Sequence, residues 1–163
     1  KLPITFPIEE GQLPLTYNHH PTGRGNDYYD LSGEPLYPFG FGLSYTTFEI
    51  SDLELNQSKF AENDTIITKV NVKNTGSKAG SEVVQLYVKD LLASVSRPII
   101  ELKGFKKVEL NPGESKQILI EVPVKELQFL DSTMNWGIER GTYRVFVGNS
   151  SKNLPLKQNI DVE

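Results

Sequence analysis

The sequence contains no cysteine, so it can form neither a disulfide framework nor a thiolate metal cluster. It has no apolar run near the roughly 20 residues that a membrane helix needs, which argues against a membrane partner. Basic residues number 17 and acidic residues 21, and the resulting net charge of −4 disfavours binding to nucleic acid. Helical periodicity is also nearly absent, so no long helices are expected.

The apolar content is sufficient for one folded domain. Hydrophobic residues make up 37% of the 163 residues, and this length suits a single domain with an appendage. The first residues, Lys1 to Ile4, show neither an initiator methionine nor a signal-peptide pattern. We therefore expect the sequence to be cut from a longer one.

Residues 1–46 differ in composition from the rest of the chain. More than half of the prolines lie there, and aromatic residues alternate with glycine in the run Phe39-Gly40-Phe41-Gly42. Because proline removes backbone donors and glycine weakens the interior of regular elements, this stretch is predicted to be an extended tail. Within it, residues 2–6 are predicted to form a short strand and residues 16–33 a polar loop.

From Phe48 onward, short alternating segments are separated by turn residues at fairly even intervals. In residues 82–90, for example, Val84, Leu86 and Val88 share one face, while Tyr87 lies on the other. Seven strands are predicted, and a single helical turn is expected at residues 124–129. The predicted strands are residues 48–55, 65–74, 82–90, 102–110, 115–122, 141–147 and 156–162. This count over roughly 100 residues is typical of an immunoglobulin-like two-sheet sandwich.

Several strings of this sequence resemble the C-terminal part of glycoside hydrolase family 3 β-glucosidases. The longest is PLYPFGFGLSYTTF at residues 35–48, which is similar to the junction into the last domain of those enzymes. The resemblance continues in order through VKNTG (72–76), VVQLYV (83–88), SRP (96–98), ELKGF (101–105) and LNPGE (110–114). Residues 2–7 and 17–24 are similar to the end of the preceding α/β-sandwich domain.

The resemblance implies an all-β, fibronectin type III-like sandwich of about seven strands at residues 47–163. It implies that residues 1–46 are an extended tail from the end of the preceding α/β domain. The family's nucleophile and acid/base carboxylates lie upstream of the matching region, so no catalytic residue, metal site or cofactor is expected here. The implied function is a non-catalytic accessory domain of a retaining exo-β-glucosidase or related β-xylosidase, periplasmic or secreted in a bacterium.

The implied partners are the upstream catalytic domains of the same enzyme. If the surface that docks on those domains is left uncovered, a second copy of this chain is also an expected partner. The alternative is an autonomous carbohydrate-binding or adhesion module, which would need exposed aromatic rings. Three residues are candidates for sugar binding, namely Tyr28, Tyr29 and Trp136. Interdomain packing is the favoured interpretation for the two tyrosines, and a place in or at the edge of the core for the tryptophan.

Three other features have both a chemical and a structural interpretation. His19 and His20 could bind a metal, but two adjacent histidines without further ligands favour a solvated loop. Arg97 could contact a glycan, although an ion pair that fixes the connection before Pro98 is favoured. The aromatic run of residues 37–45 could bind a ligand, but we expect its rings to cover the sandwich.

Overall fold

The structure is a computed structural model that describes residues 1–22 and 32–163. The alternating segments of the sequence form its strands. Seven long strands agree with the seven predicted ones to within two residues at each end. Three further strands have two residues each, too short for an alternating pattern to be recognised. In chain order the strands are β1 (Phe48–Leu55), β2 (Lys59–Phe60), β3 (Thr65–Asn74), β4 (Gly80–Asp90), β5 (Glu101–Leu110), β6 (Ser115–Pro123), β7 (Phe129–Leu130), β8 (Trp136–Gly137), β9 (Gly141–Gly148) and β10 (Leu156–Val162).

Two sheets pack face to face. One has three strands in the order β1-β3-β6, and the other has five in the order β2-β10-β9-β4-β5. Neighbours are antiparallel except for β2 and β10, and β7 pairs with β8 in a separate hairpin. The predicted two-sheet sandwich is thus confirmed. The helical parts of the described chain are the 3₁₀ turns Glu10–Gln12 and Val124–Leu127, of which the second was predicted. No described helix has the length and apolar character needed to cross a membrane.

The core lies between the two sheets and follows the period-two pattern of the sequence. Ile66, Val70 and Val72 of β3 are fully buried, as is Leu86 of β4. Burying each such side chain stabilises the fold by about 1.5–3 kcal/mol. β4 pairs with β5 and β9 on its two edges, and its inner face packs in the same cluster as residues of β3 and β6 in the smaller sheet.

Thr68 interrupts the apolar face of β3. Its side chain is fully buried, and its hydroxyl has no hydrogen-bond partner among residues 1–22 and 32–163. An unsatisfied buried hydroxyl opposes folding, but threonine has the β-branched shape that suits a strand. Thr68 therefore lies in the core because its neighbours on this face of β3 are apolar, and not because its hydroxyl gains a hydrogen bond.

The predicted strand at residues 2–6 was wrong. The described residues show one isolated antiparallel bridge, between Phe6 and Tyr37, instead of a continuous ladder. Pro3 and Pro7 lack amide hydrogens, and Pro38 stands on the opposing segment next to Tyr37. Regular pairing is therefore interrupted, although the two segments remain side by side.

Candidate functional site

The two ends of the tail are joined to each other. The amide of Leu2 donates to the carbonyl of Phe41 at 2.8 Å, and the amide of Gly40 donates to the carbonyl of Leu2 at 2.8 Å. Further along, the Phe6 amide donates to the Tyr37 carbonyl at 2.9 Å. The described tail, residues 1–22 and 32–46, therefore has its own backbone hydrogen bonds and is more ordered than a linker.

The side chain of Gln12 joins the two described segments of the tail. Its side chain is fully buried, and its Nε2 donates to the carbonyls of Ser32 at 2.9 Å and Glu34 at 3.1 Å. Its Oε1 accepts from the amide of Ile8 at 2.6 Å. A single amide side chain thus links both segments of the tail. This role of Gln12 could not be predicted, because the residue stands in no motif or alternating pattern.

Gln85 holds the tail on the outer face of the five-stranded sheet. Its Nε2 donates to the carbonyl of Gly40 at 3.1 Å and to that of Asn149 at 2.8 Å. Its Oε1 accepts from the hydroxyl of Tyr87 at 2.6 Å, and burial raises the pKa of Tyr87 well above its ordinary value. Gly40 has φ 78°, and a Cβ there would lie 2.1 Å from Gln85 Oε1, so glycine is required at this contact.

Aromatic rings complete the contact between the tail and the sheet. Tyr17 stacks on Phe39 with ring centroids 4.2 Å apart, and its edge meets Tyr87 at 5.9 Å. The hydroxyl of Tyr17 accepts a hydrogen bond from the amide of Leu102 at 3.2 Å. This bond satisfies a backbone donor of β5, so the tail also caps an outer strand of the sheet.

An ion pair fixes the start of the tail. Lys1 Nζ lies 2.8 Å from Glu82 Oε1, and both side chains are largely buried. Glu82 Oε2 also accepts from Asn149 Nδ2 at 3.2 Å. The carboxylate of Glu82 therefore links the tail, strand β4 and the turn that follows β9.

Apolar side chains remain exposed on the outer side of the tail. Ile4, Phe6 and Ile8 alternate along the extended chain and are between 40% and 51% exposed. Leu36 and Tyr37 extend the surface, and the rings of Phe6 and Tyr37 meet edge to face at 6.3 Å. We call these five residues the apolar strip. Their alternation is that of a half-buried strand, but no described residue covers this face.

The aromatic run of residues 37–45 is only partly packed. Phe39 lies against Tyr17, and Phe41 stacks on Tyr37 at 5.1 Å. Tyr45, however, is 94% exposed, with the Lys78 ammonium 5.9 Å from its ring centroid. The expectation that all of these rings cover the sandwich was therefore wrong for Tyr45, and also for Tyr37, which is 42% exposed in the apolar strip. The neighbouring Thr46 stays bound to β3, where its hydroxyl donates to Asn74 Oδ1 at 2.7 Å, so it is the side chain of Tyr45 that points to solvent.

Arg97 anchors the long connection between β4 and β5, as predicted. Its guanidinium lies 3.4 Å from Asp90 Oδ2 and 3.0 Å from Glu101 Oε2. It also donates to the carbonyl of Leu127 at 3.3 Å and lies over the ring of Phe129, 4.3 Å from the centroid. The Arg97 and Asp90 side chains are only 8% and 3% exposed, so this is a buried ion pair with satisfied hydrogen bonds.

Of the three candidate sugar-binding residues, the structure describes only Trp136. Tyr28 and Tyr29 lie outside the described residues. Trp136 lies in the β7-β8 hairpin and is 66% exposed, so its expected place in or at the edge of the core was wrong. The strand that carries Trp136 has only two residues and lies outside the two main sheets, so the ring is left uncovered. The sequence around Trp136 has no alternating pattern from which this hairpin could be predicted.

The resolved pKa shifts of the described carboxyls run against a role as general acid. Four carboxyls, those of Asp52, Glu114, Asp131 and Glu139, have a lowered pKa because hydrogen-bond donors stabilise the ionised form. A catalytic general acid needs the opposite shift. Among the residues described, no three His, Asp or Glu side chains are grouped so that they could hold a metal ion.

The two histidines contact neighbouring loop groups. His20 Nδ1 lies 3.0 Å from Ser96 Oγ, and His19 Nδ1 lies 2.9 Å from the carbonyl of His20. The carbonyl of His19 accepts from the amide of Ile99 at 3.0 Å. Both residues therefore help to attach the tail to the β4-β5 connection.

The topology and a comparison with known families agree on the class of this domain. The profile of the fibronectin type III-like domain matches residues 82–151, which run from within β4 to just beyond the end of β9. A two-sheet sandwich with this match is a fibronectin type III-like domain. Over nearly its whole length the chain is similar to the C-terminal region of glycoside hydrolase family 3 β-glucosidases and β-xylosidases.

Individual relatives are similar over nearly the whole chain. A periplasmic β-glucosidase of Salmonella typhimurium is 41% identical over 161 residues, which cover 93% of this chain and 21% of that protein. A β-xylosidase of Formosa agariphila is 44% identical, with 96% of this chain and 22% of that protein covered. The solved β-glucosidase of Listeria innocua with glucose has a TM-score of 0.92 at 36% identity, over 98% of this chain and 24% of that one. The chain thus spans about a fifth of the length of the curated relatives it matches.

Proposed function

We propose that this chain is a non-catalytic accessory domain that braces the catalytic domains of a longer, retaining exo-β-glucosidase or related β-xylosidase. The observation that carries the proposal is the apolar strip, an uncovered hydrophobic face on a well-anchored tail. Exposed apolar surface of this kind marks an interaction site, and faces between domains of one chain are normally buried. The partner is the upstream part of the same enzyme.

The anchoring of the tail supports a bracing role. Lys1, Gln12 and Gln85 hold the tail by an ion pair and by amide hydrogen bonds, so the strip is presented on a defined backbone. A surface that is already ordered loses little conformational entropy when it docks. The sandwich then acts as a rigid support for the domains that carry out the chemistry.

Catalysis is assigned to the upstream domains. Retaining glycosidases need two carboxyl groups about 5–5.5 Å apart, one of them protonated before the reaction. Asp90 and Glu101 lie on neighbouring strands, and the guanidinium of Arg97 binds both of them, at 3.4 Å and 3.0 Å, so they form an ion-pair cluster. The parent reaction would be release of a terminal sugar through a glycosyl-enzyme intermediate. A periplasmic or secreted location in a bacterium is supported by the Salmonella relative named periplasmic.

Placing a charge in the apolar strip tests this proposal. In the full-length enzyme, Phe6→Asp is expected to lower the melting temperature by several degrees, because the new carboxylate would be desolvated at the docked face. In the 163-residue chain alone, the same change should leave the unfolding midpoint nearly unchanged, because Phe6 is already 40% exposed there. Differential scanning calorimetry of both forms provides the measurement.

Phe105→Asp serves as the matched control, since Phe105 is an exposed phenylalanine on β5 and not part of the strip. It should change neither form appreciably. A Phe6→Asp enzyme as stable as the unchanged enzyme would contradict docking at this surface.

The isolated chain should also self-associate through the uncovered strip, and Phe6→Asp should weaken that association in sedimentation experiments.

A further inference from the structure

The β7-β8 hairpin presents an aromatic ring that the docking proposal does not use. Leu130 and Trp136 are direct cross-strand partners, so their side chains lie on the same face of the hairpin. Phe129 precedes Leu130 and points to the other face, where its ring covers Arg97. The Trp136 face is therefore directed away from the sandwich, and the indole is 66% exposed.

Hydrogen bonds to Asp131 hold the tip of this hairpin in place. One oxygen of the carboxylate, Oδ1, accepts from the amide and the hydroxyl of Thr133, both at 2.7 Å, and from the amide of Asn135 at 3.0 Å. These bonds also lower the pKa of Asp131, most strongly the bond from the Asn135 amide. Met134 is held at φ 64°, a left-handed conformation that non-glycine residues rarely adopt without such support. The ring of Trp136 thus extends from an ordered turn.

The chemistry around the ring suits a neutral, hydroxyl-rich ligand. The apolar residues of this face are Leu130, Met134 and Trp136, far fewer than the 20–30 residues a side of a stable protein interface. The exposed residues Thr133 and Asn135 precede the ring in the sequence, and the Asn135 Nδ2 donates to the Thr133 Oγ1 at 2.9 Å. The carboxylate of Asp131 is turned into the loop, where it meets the donors just described. A flat aromatic face with a polar margin is the arrangement that binds a ring with an apolar face and a polar edge.

We propose that Trp136 stacks on a pyranose ring of a β-linked glucan or xylan chain, with the amide of the neighbouring Asn135 bonding its hydroxyls. In β-linked glucose and xylose units the hydroxyls are equatorial, so C–H groups form the two ring faces. Such a ring can lie flat on an indole. This sugar-binding role goes beyond the bracing role and does not depend on it. A single stacking ring gives weak affinity, with a dissociation constant on the order of 1 mM.

The chain has one tryptophan, so its fluorescence reports on this site alone. Titration of the 163-residue chain with cellohexaose and with xylohexaose should give a saturable change in tryptophan emission for at least one of them. In a parallel ¹⁵N NMR titration, Trp136→Ala should weaken binding at least about tenfold. Trp136→Phe should retain part of the affinity, because a smaller ring can still stack.

Phe105→Ala is the matched control, because Phe105 is also 66% exposed but lies on β5. Its affinity for the oligosaccharide should equal that of the unchanged chain. The proposal is overturned if neither sugar alters the emission up to its solubility limit, or if Phe105→Ala weakens binding as much as Trp136→Ala. Emission that changes only with protein concentration would also overturn it, since that result would indicate contact with a second copy.

Discussion

Replacing Arg97 with alanine is expected to lower the free energy of unfolding by about 4 kcal/mol. The change leaves the Asp90 carboxylate, 3% exposed, without its partner at 3.4 Å. It also removes the donor to the Leu127 carbonyl and the cation over the Phe129 ring. Because these contacts join the β4-β5 connection to the turn Val124–Leu127, their loss should loosen both. Urea denaturation followed by circular dichroism measures the effect.

Two variants make the Arg97 result interpretable. Lys152→Ala removes an exposed ion pair with Glu34 at 2.7 Å and should cost less than about 1 kcal/mol. Arg97→Lys should recover only part of the loss, because an ammonium cannot bind two carboxylates and stack on a ring as a planar guanidinium does. If Arg97→Ala were no more destabilising than Lys152→Ala, the buried ion pair would not be a stabilising element.

Gly148→Ala is the second substitution expected to have a large effect, about 3 kcal/mol of destabilisation. A Cβ at this position would lie 1.9 Å from the carbonyl oxygen of Asn153 and 2.9 Å from Cα of Leu154. Both are backbone atoms, so no side-chain rotation can relieve the overlap. The turn that follows β9 would have to move away from the strand.

That movement should also loosen the tail. The turn after β9 donates from the Ser151 amide to the Phe39 carbonyl at 2.9 Å, and its Asn149 carbonyl accepts from Gln85 at 2.8 Å. Limited proteolysis of Gly148→Ala should therefore cleave within the tail faster than in the unchanged chain. Gly137→Ala, where no atom lies within 4 Å of the added Cβ, should change stability by less than about 0.5 kcal/mol. Equal behaviour of the two variants would contradict this account of the turn.

The sandwich was predictable because its strands are long and one face of each is buried. In β3, Ile66, Val70 and Val72 stand at alternate positions with Thr68 between the first two, and the buried positions of the strand follow that alternation. The two-residue strands were not predictable, because a period of two cannot be seen in two residues. Residues 2–6 had the composition of a strand, but their prolines limited the pairing to a single bridge.

The candidate surfaces were only partly predictable, because exposure depends on contacts between distant segments. Arg97 could be assigned to an ion pair from its place in a long connection, and acids on both sides of it supplied the partners. The buried position of Gln12 depends on carbonyl groups about 20 residues away, for which the sequence has no pattern. Trp136 was assigned to the core by analogy with other sandwiches, whereas its position on a short hairpin exposes it.

The central claim is that this chain supports chemistry carried out by other domains. The most direct test is the rate of aryl β-glucoside hydrolysis by the purified 163-residue chain. We expect no release of the aryl group above the buffer blank, because Asp90 and Glu101 are bound to Arg97 and do not flank a site for a glycosidic bond. Saturable turnover that persists through repurification would contradict it.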